Sequence, residues 1–287
     1  IVDVDLDLES ARLEIPEFNW SKPSGLPADA SVSYRYTTNE NISQVSFKSD
    51  DVDFRGNINL TDAGRLDHLM VDRFYLEDQF DLTGELVRTD PLSLSLKVSG
   101  PFLNAEPVLD SLLEGGSDDG ALPVFGNVSF EADIERLRLR RGFTVEDARL
   151  QTRFSGPVMA YLDVAGDLDG REDFSLRIED NGNGSRNLSA EASDAGVMFE
   201  ALLGQAIVRD GSLKLDGVLR SGDEASTLNL SLSEVRLMDA PLLTQILSLA
   251  SLRGLADVMS GEGVLFTSVD IPLLIDNSGY YIQGAKA

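Results

Sequence analysis

The sequence predicts a mainly β protein, an antiparallel meander that carries a few short helices. Short segments in which apolar and polar residues alternate follow one another through most of the 287 residues, and a period of two is the mark of a strand with one buried face. The connections between them are short and rich in Asn, Asp, Gly and Pro, which suits hairpins and leaves no room for the crossover helices of a parallel sheet. Helical patterning is confined to three places, near 104–113, 194–203 and 240–259.

In chain order, Ile1 to Glu9 sets Val2, Val4, Leu6 and Leu8 against Asp3, Asp5, Asp7 and Glu9. This is a one-sided strand with a solvated acidic row, because carboxylates two apart on a strand do not converge on a cation. Trp20 to Pro27, with Pro23, Gly25 and Pro27, reads as a loop. Strands are then expected at Val32 to Tyr36, Ile42 to Phe47, Val52 to Leu60, Leu66 to Leu76, Phe80 to Val87 and Leu92 to Val98. Their turns are placed at Thr38 to Asn41, Asp62 to Gly64, Thr83-Gly84 and Asp90-Pro91.

Asn104 to Leu113 breaks this rhythm and, set beside Asp194 to Leu203 and Asp239 to Leu247, reveals an internal repeat: a capping Asn or Asp, then Ala, with apolar residues four and eight positions after the cap. Spacing of four stacks Val108 on Leu112, Met198 on Leu202 and Leu243 on Leu247, so each copy predicts a short capped helix that docks an apolar stripe. Gly115 to Gly120, GGSDDG, is the most linker-like stretch and divides the chain into a β module over 1–116 and a second β module over 117–287.

Strands resume at Val124 to Leu139, Phe143 to Phe154, Val158 to Gly166, Phe174 to Glu179, Leu188 to Ala192, Ser212 to Leu219, Thr227 to Leu237, Val264 to Val269, Ile271 to Ile275 and Tyr280 to Gly284. The apolar phase changes near Ser233 and Glu234 and again between Ile134 and Leu137. A β-bulge at each place restores one apolar face and adds twist. Arg136, Arg138, Arg140 and Arg141 form a basic cluster that reads as a solvated face answering acidic strands.

The longest apolar segment starts at Asp239, a good N-cap, with Pro241 in the first turn, and ends at Ser260, Gly261 and Gly263. A helix to Met259 spans roughly 28 Å. Arg253, Gly254 and Asp257 interrupt it, which argues against a membrane span and for a helix laid on the sheet. Leu243 and Leu247 belong to its buried stripe, whereas Leu242, Ile246 and Leu249 share another face that could gate a groove.

Composition excludes several functions. Forty-nine acidic residues against 24 basic ones give a net charge of −25, which repels nucleic acid and disfavours adhesion to anionic headgroups. Without cysteine there are no disulfides or thiolate metal sites, and a lone histidine, His68, assembles neither a catalytic triad nor a multi-histidine zinc site. Asp167 to Gly170 and Asp180 to Gly184 contain calcium-loop fragments without the full ligand ladder, and read as hairpin turns. The composition therefore points to no enzyme, no cofactor and no metal. The chain opens in mid-strand at Ile1 and closes abruptly after a strand, as expected of a piece of a longer protein whose anchor and targeting segment lie elsewhere.

Two architectures bury alternating residues equally well. One is a pair of β-sandwich modules; the other is a curled sheet with an apolar concavity. The segments SDAGVMFEALLGQAIVRDGSLKLDGVL at Ser193 to Leu219 and DAPLLTQILSLASLRGLADVMSGEGVLF from Asp239 bear on this choice. With their Asp-Ala-Gly, Gly-x-Leu-x-Leu-x-Gly and Asp-Ala-Pro elements in order, they resemble the C-terminal region of the AsmA-like family of bacterial envelope proteins.

That resemblance covers about the last hundred residues, and it implies an elongated, strongly twisted antiparallel sheet forming an apolar groove. It further implies a periplasmic, inner-membrane-anchored bridge moving phospholipid between the inner and outer membranes, with acyl chains in the groove. Candidate lipid contacts on this reading are Leu92, Leu94, Leu96, Leu213, Leu215, Leu228, Leu230 and Leu232 on alternating strands, with Leu242, Ile246 and Leu249 on the gating helix. The alternative is a structural or assembly module of the cell envelope that recruits partner proteins by strand addition.

Overall fold

The computed structural model describes residues 1–15, 20–36, 41–61, 64–107, 126–140, 143–156, 158–168, 172–203, 206–220, 224–238, 263–276, 279–284 and 286. The protein is mainly β. Among these residues, seventeen strands belong to one twisted sheet and two more form a separate ribbon. The chain divides into unit 1, Ile1–Leu137 with Phe154–Pro157, and unit 2, Arg138–Arg153 with Val158–Ala287. The proposed linker, 115–120, lies outside the described residues, as do the helix expected over 240–259 and all but 104–107 of the helix expected near 104–113, whose Asn104 is the last residue of a strand.

In unit 1, β1 (Val2–Asp7) pairs with β4 (Ala28–Tyr36), and a meander continues through β5 (Asn41–Ser49), β6 (Val52–Leu60), β7 (Leu66–Leu76), β8 (Phe80–Asp90) and β9 (Ser93–Asn104). Every one of these pairs is antiparallel, and β10 (Asn127–Arg140) follows beside β9. The register aligns like with like. Val4, Val32, Val45, Gly56, Val71, Gly84 and Val98 form one cross-strand row. Asp3, Ser33, Gln44, Asn57, Met70, Glu85 and Lys97 form the neighbouring row on the opposite face. A slip of one residue would exchange the two faces, so the alternation itself fixes the register.

Register shifts fall between Arg55 and Gly56, between Asn59 and Leu60, between Val71 and Phe74, between Arg88 and Asp90, and between Asp81 and Thr83. Thr83-Gly84, expected as a turn, lies inside β8 at the last of these. An irregularity of this kind bends the strand without ending it, and sequence alone does not distinguish the two uses of a Thr-Gly pair. Gly56 is required by close approach: a Cβ there would sit 2.6 Å from the Met70 carbonyl.

Trp20 to Pro27 also departs from expectation, because Trp20–Lys22 is strand β3, paired with β2 (Leu13–Ile15) as a ribbon. Its indole packs with Val52, Leu76 and Phe80, stands edge-on to Phe47 at 5.9 Å, and donates Nε1–H to Asp51 at 2.6 Å. Burial of one large aromatic supplies the cohesion that the short ribbon lacks.

Unit 2 contains β11 (Phe143–Ser155) as far as Arg153, then β12 (Val158–Leu168), β13 (Glu172–Asp180), β14 (Ser185–Ala192), α1 (Ala195–Leu203), β15 (Val208–Arg209), β16 (Ser212–Arg220), β17 (Ser226–Leu237), β18 (Val264–Asp276) and β19 (Gly279–Ile282). Helix α1 begins where the repeat places it: Asp194 Oδ1 accepts from the Val197 amide at 2.9 Å, and Met198 is buried. The two segments expected at 264–269 and 271–275 are one strand. The Asn181 to Gly184 stretch is a hairpin turn between β13 and β14, with Gly182 N donating to Asp180 Oδ1.

The phase change at Ser233 and Glu234 does not insert an extra residue. Ser233 pairs with Ser268 and Val235 with Phe266, so the β17–β18 register runs straight through. Instead the neighbouring strands change face at the same row. Glu234 adopts φ 53° and, in the break between β15 and β16, Asp210 and Gly211 adopt 58° and 73°, while buried positions move from Leu232 to Val235 and from Val269 to Phe266. The sheet is creased along that row. Helix α1 rests on the crease, its Ala195 amide donating to the Gly211 carbonyl at 2.8 Å.

Candidate lipid-contacting face

In unit 2 the antiparallel register builds an apolar surface row by row. Leu162, Ile178, Leu188, Gly217, Leu228, Leu273 and Ile282 lie opposite one another on seven successive strands. The adjacent row is Val164, Leu176, Ala190, Leu215, Leu230 and Ile271, and the next is Gly166, Phe174, Ala192, Leu213, Leu232 and Val269. Six strand-to-strand steps make the longest row about 29 Å.

Cover on this face is uneven among the described residues. Under α1, Leu232, Val235 and Val269 are at most 2% exposed and pack with Ala195, Val208, Val264 and Phe266. Away from the helix Leu162, Ile178, Leu188 and Leu215 are half-buried, and Ile282 is 53% exposed.

The reverse face is charged. Arg177 bonds Asp163 at 2.5 Å, and Lys214 bonds Glu191 at 2.9 Å. These hydrogen bonds hold the Arg177 and Lys214 cations above their ordinary values. Tyr161, donating to Asp163 at 2.9 Å, is likewise raised because its phenol hydrogen bond is lost on ionisation.

The five candidate leucines of this unit, Leu213, Leu215, Leu228, Leu230 and Leu232, therefore share one face. Leu228 and Leu232 are buried, whereas Leu213 and Leu230 are partly buried beside the α1 cluster. Leu242, Ile246 and Leu249 lie outside the described residues. In unit 1, Leu96 is half-buried opposite Leu86, and Leu94 is 7% exposed opposite Arg88. Leu92 is not on the strand at all: it sits in the turn after Pro91, 67% exposed. The Asp90 carboxylate caps that turn by accepting from the Leu92 amide. The alternation of Leu92, Leu94 and Leu96 starts one residue before the pairing with β8, which begins at Ser93 opposite Asp90, so Leu92 is not held to the sheet face of the other two.

Sequence reasoning passed over a pocket in unit 1. A concavity of about 290 Å³ opens on the apolar face over β7, β8 and β9, walled by Leu69, Val71, Leu82, Leu86, Leu96 and Val98. Val71, Phe74, Leu82 and Thr83 on its lining flank the register shifts of β7 with β8 and of β8 with β9. The signal was alternation, interrupted at Asp72-Arg73, where the apolar phase jumps from Val71 to Phe74.

Among the described residues no group of three or more His, Cys, Asp or Glu is placed to hold a metal ion. No described helix is long and apolar enough to cross a membrane. Comparison with family models, curated proteins and solved structures finds no match for this chain.

Proposed function

We infer that this chain is a lipid-binding and lipid-conducting segment of a periplasmic bridge-like protein, moving phospholipid between the inner and outer membranes. The observation that supports the reading is the set of unbroken apolar rows crossing unit 2, half-buried at Leu162, Ile178, Leu188 and Leu215 and backed by a charged reverse face. Acyl chains laid along such rows leave water at roughly 0.8 kcal/mol per buried methylene. The headgroup stays in solvent and no covalent step is involved. Apolar rows continuing from strand to strand suit movement along the sheet, because each position offers the chain much the same contacts as the last. The resemblance of Ser193 to Leu219 and of the segment from Asp239 to AsmA-like envelope proteins points the same way.

The test is chemical. Photo-reactive residues placed at Leu215 and Leu230 on the apolar face, and at Asp216 and Asn229 on the reverse face, should crosslink phospholipid only from the first pair. Mass spectrometry of the purified chain should find phospholipid bound. Clean protein without lipid, or equal crosslinking from both faces, would remove the reading.

A further inference from the structure

The polar face of unit 1 carries a second candidate site, independent of lipid. Two concavities adjoin there, of about 280 and 470 Å³, and Met70 borders both. The first is walled by parts of two neighbouring cross-strand rows, Ser33, Gln44 and Asn57 in one, Arg35, Asn59 and His68 in the other. The second carries on across the sheet through Asp72, Thr83, Glu85, Lys97 and Ser99. From β4 to β9 is five strand spacings, about 24 Å.

The chemistry of this groove restricts its occupant. Side-chain carboxamides and hydroxyls dominate the first half, and among the described residues no hydrogen bond engages the side chains of Arg35, Gln44 and Asn59. Carboxylates stand beside it: Asp3 accepts from Ser33 at 2.6 Å, Asp72 accepts from Asn57 at 3.2 Å, and Glu85 lies 2.9 Å from His68. Arg35 and Lys97 on the lining are outnumbered by Asp72, Glu85 and Asp133, and Lys97 is already paired with Glu131, so the groove holds no excess of positive charge for an anion in a chain at −25. Carboxamides, hydroxyls and charges interrupt the lining, which leaves no continuous apolar track for an acyl chain. An extended peptide takes its main-chain hydrogen bonds from a sheet edge, whereas this groove crosses the strands on a face where every backbone group points sideways.

We propose that the two adjoining concavities form one groove for a neutral oligosaccharide. Such a ligand is uncharged, offers donors and acceptors along its whole length, and has the reach to use both concavities. Amides such as Gln44 and Asn59 present a donor and an acceptor together, the pattern that neighbouring hydroxyls complement. Met70, 43% exposed at the junction, supplies apolar contact for the C–H face of a ring.

Calorimetric titration of the chain with β-linked tetramers of glucose and of N-acetylglucosamine, and with their monomers, tests this. A tetramer is expected to bind at least tenfold tighter than its monomer. The double variant Gln44→Ala/Asn59→Ala is expected to lose at least tenfold of that affinity without a change in melting temperature. Should the pair disturb folding, Arg35→Gln at an exposed position serves for the same comparison. Binding of neither tetramer, a tetramer no tighter than its monomer, full affinity in the folded variants, or displacement of sugar by inorganic phosphate or by an extended peptide would each overturn the proposal.

Discussion

Lys22 is 3% exposed, an unusual position for an ammonium group. Its Nζ donates to the carbonyls of Leu8, Glu9, Ala11 and Pro23 at 2.9 to 3.4 Å, which ties the β2–β3 ribbon to the chain leaving β1. These acceptors replace the water that burial strips from the cation, and removing it strands them in turn. Lys22→Met, which keeps the aliphatic bulk, should therefore lower the stability of unit 1 by about 1–3 kcal/mol in urea denaturation. Lys97→Met removes an exposed pair with Glu131 and should change stability by less than about 1 kcal/mol. Similar losses from both would mean that the carbonyl cluster does not depend on the ammonium.

At the scale of elements, the crease in unit 2 makes opposite demands on two left-handed residues. A Cβ on Gly211 would lie 2.3 Å from the Ser233 carbonyl oxygen and 2.6 Å from Val235 Cγ1, under the seat of α1. Glu234, also left-handed, is exposed and already carries a Cβ. Gly211→Ala should cost at least about 2 kcal/mol, since strain and overlap add. Glu234→Gly should stay within about 1 kcal/mol of neutral, because relief of the left-handed strain is offset by the added freedom of the unfolded chain. Thermal melts of the two variants check the contrast, and a neutral Gly211→Ala would show that the crease can flatten.

For the whole molecule, two-facedness is the governing property, and neighbouring residues test it most sharply. Leu215 lies in the apolar row with Ala190 and Leu230, while Asp216, one residue on, lies in the polar row with Ser189 and Asn229. Leu215→Asp places an unpaired charge among apolar neighbours and should destabilise unit 2 by more than about 2 kcal/mol. Asp216→Leu loses only an exposed 3.7 Å pair with Lys214 and should shift stability by less than about 1 kcal/mol. Equal effects by chemical denaturation would mean that the two faces are not distinct environments.

Period-two alternation by itself determined the mainly β class, most strand positions, the antiparallel order and which residues of each strand share a face. Those properties are local, since each strand's pattern reports its own burial and short turns leave only hairpin pairing. The Asp194 cap was legible for the same reason. Spacing grouped Leu213 with Leu215 and Leu228 with Leu230 and Leu232, but that the two groups share one face follows from the register between β16 and β17. Only tertiary structure decided that Trp20–Lys22 is a strand, because its stability comes from an indole seated on residues tens of positions away. Leu92 and Thr83-Gly84 needed it as well, since a strand's last residue and a bulge are defined by a partner's hydrogen bonds. The crease at Glu234 and the pockets on both faces of unit 1 lie at irregularities shared across adjacent strands, and one strand's sequence contains no record of where its neighbours bend.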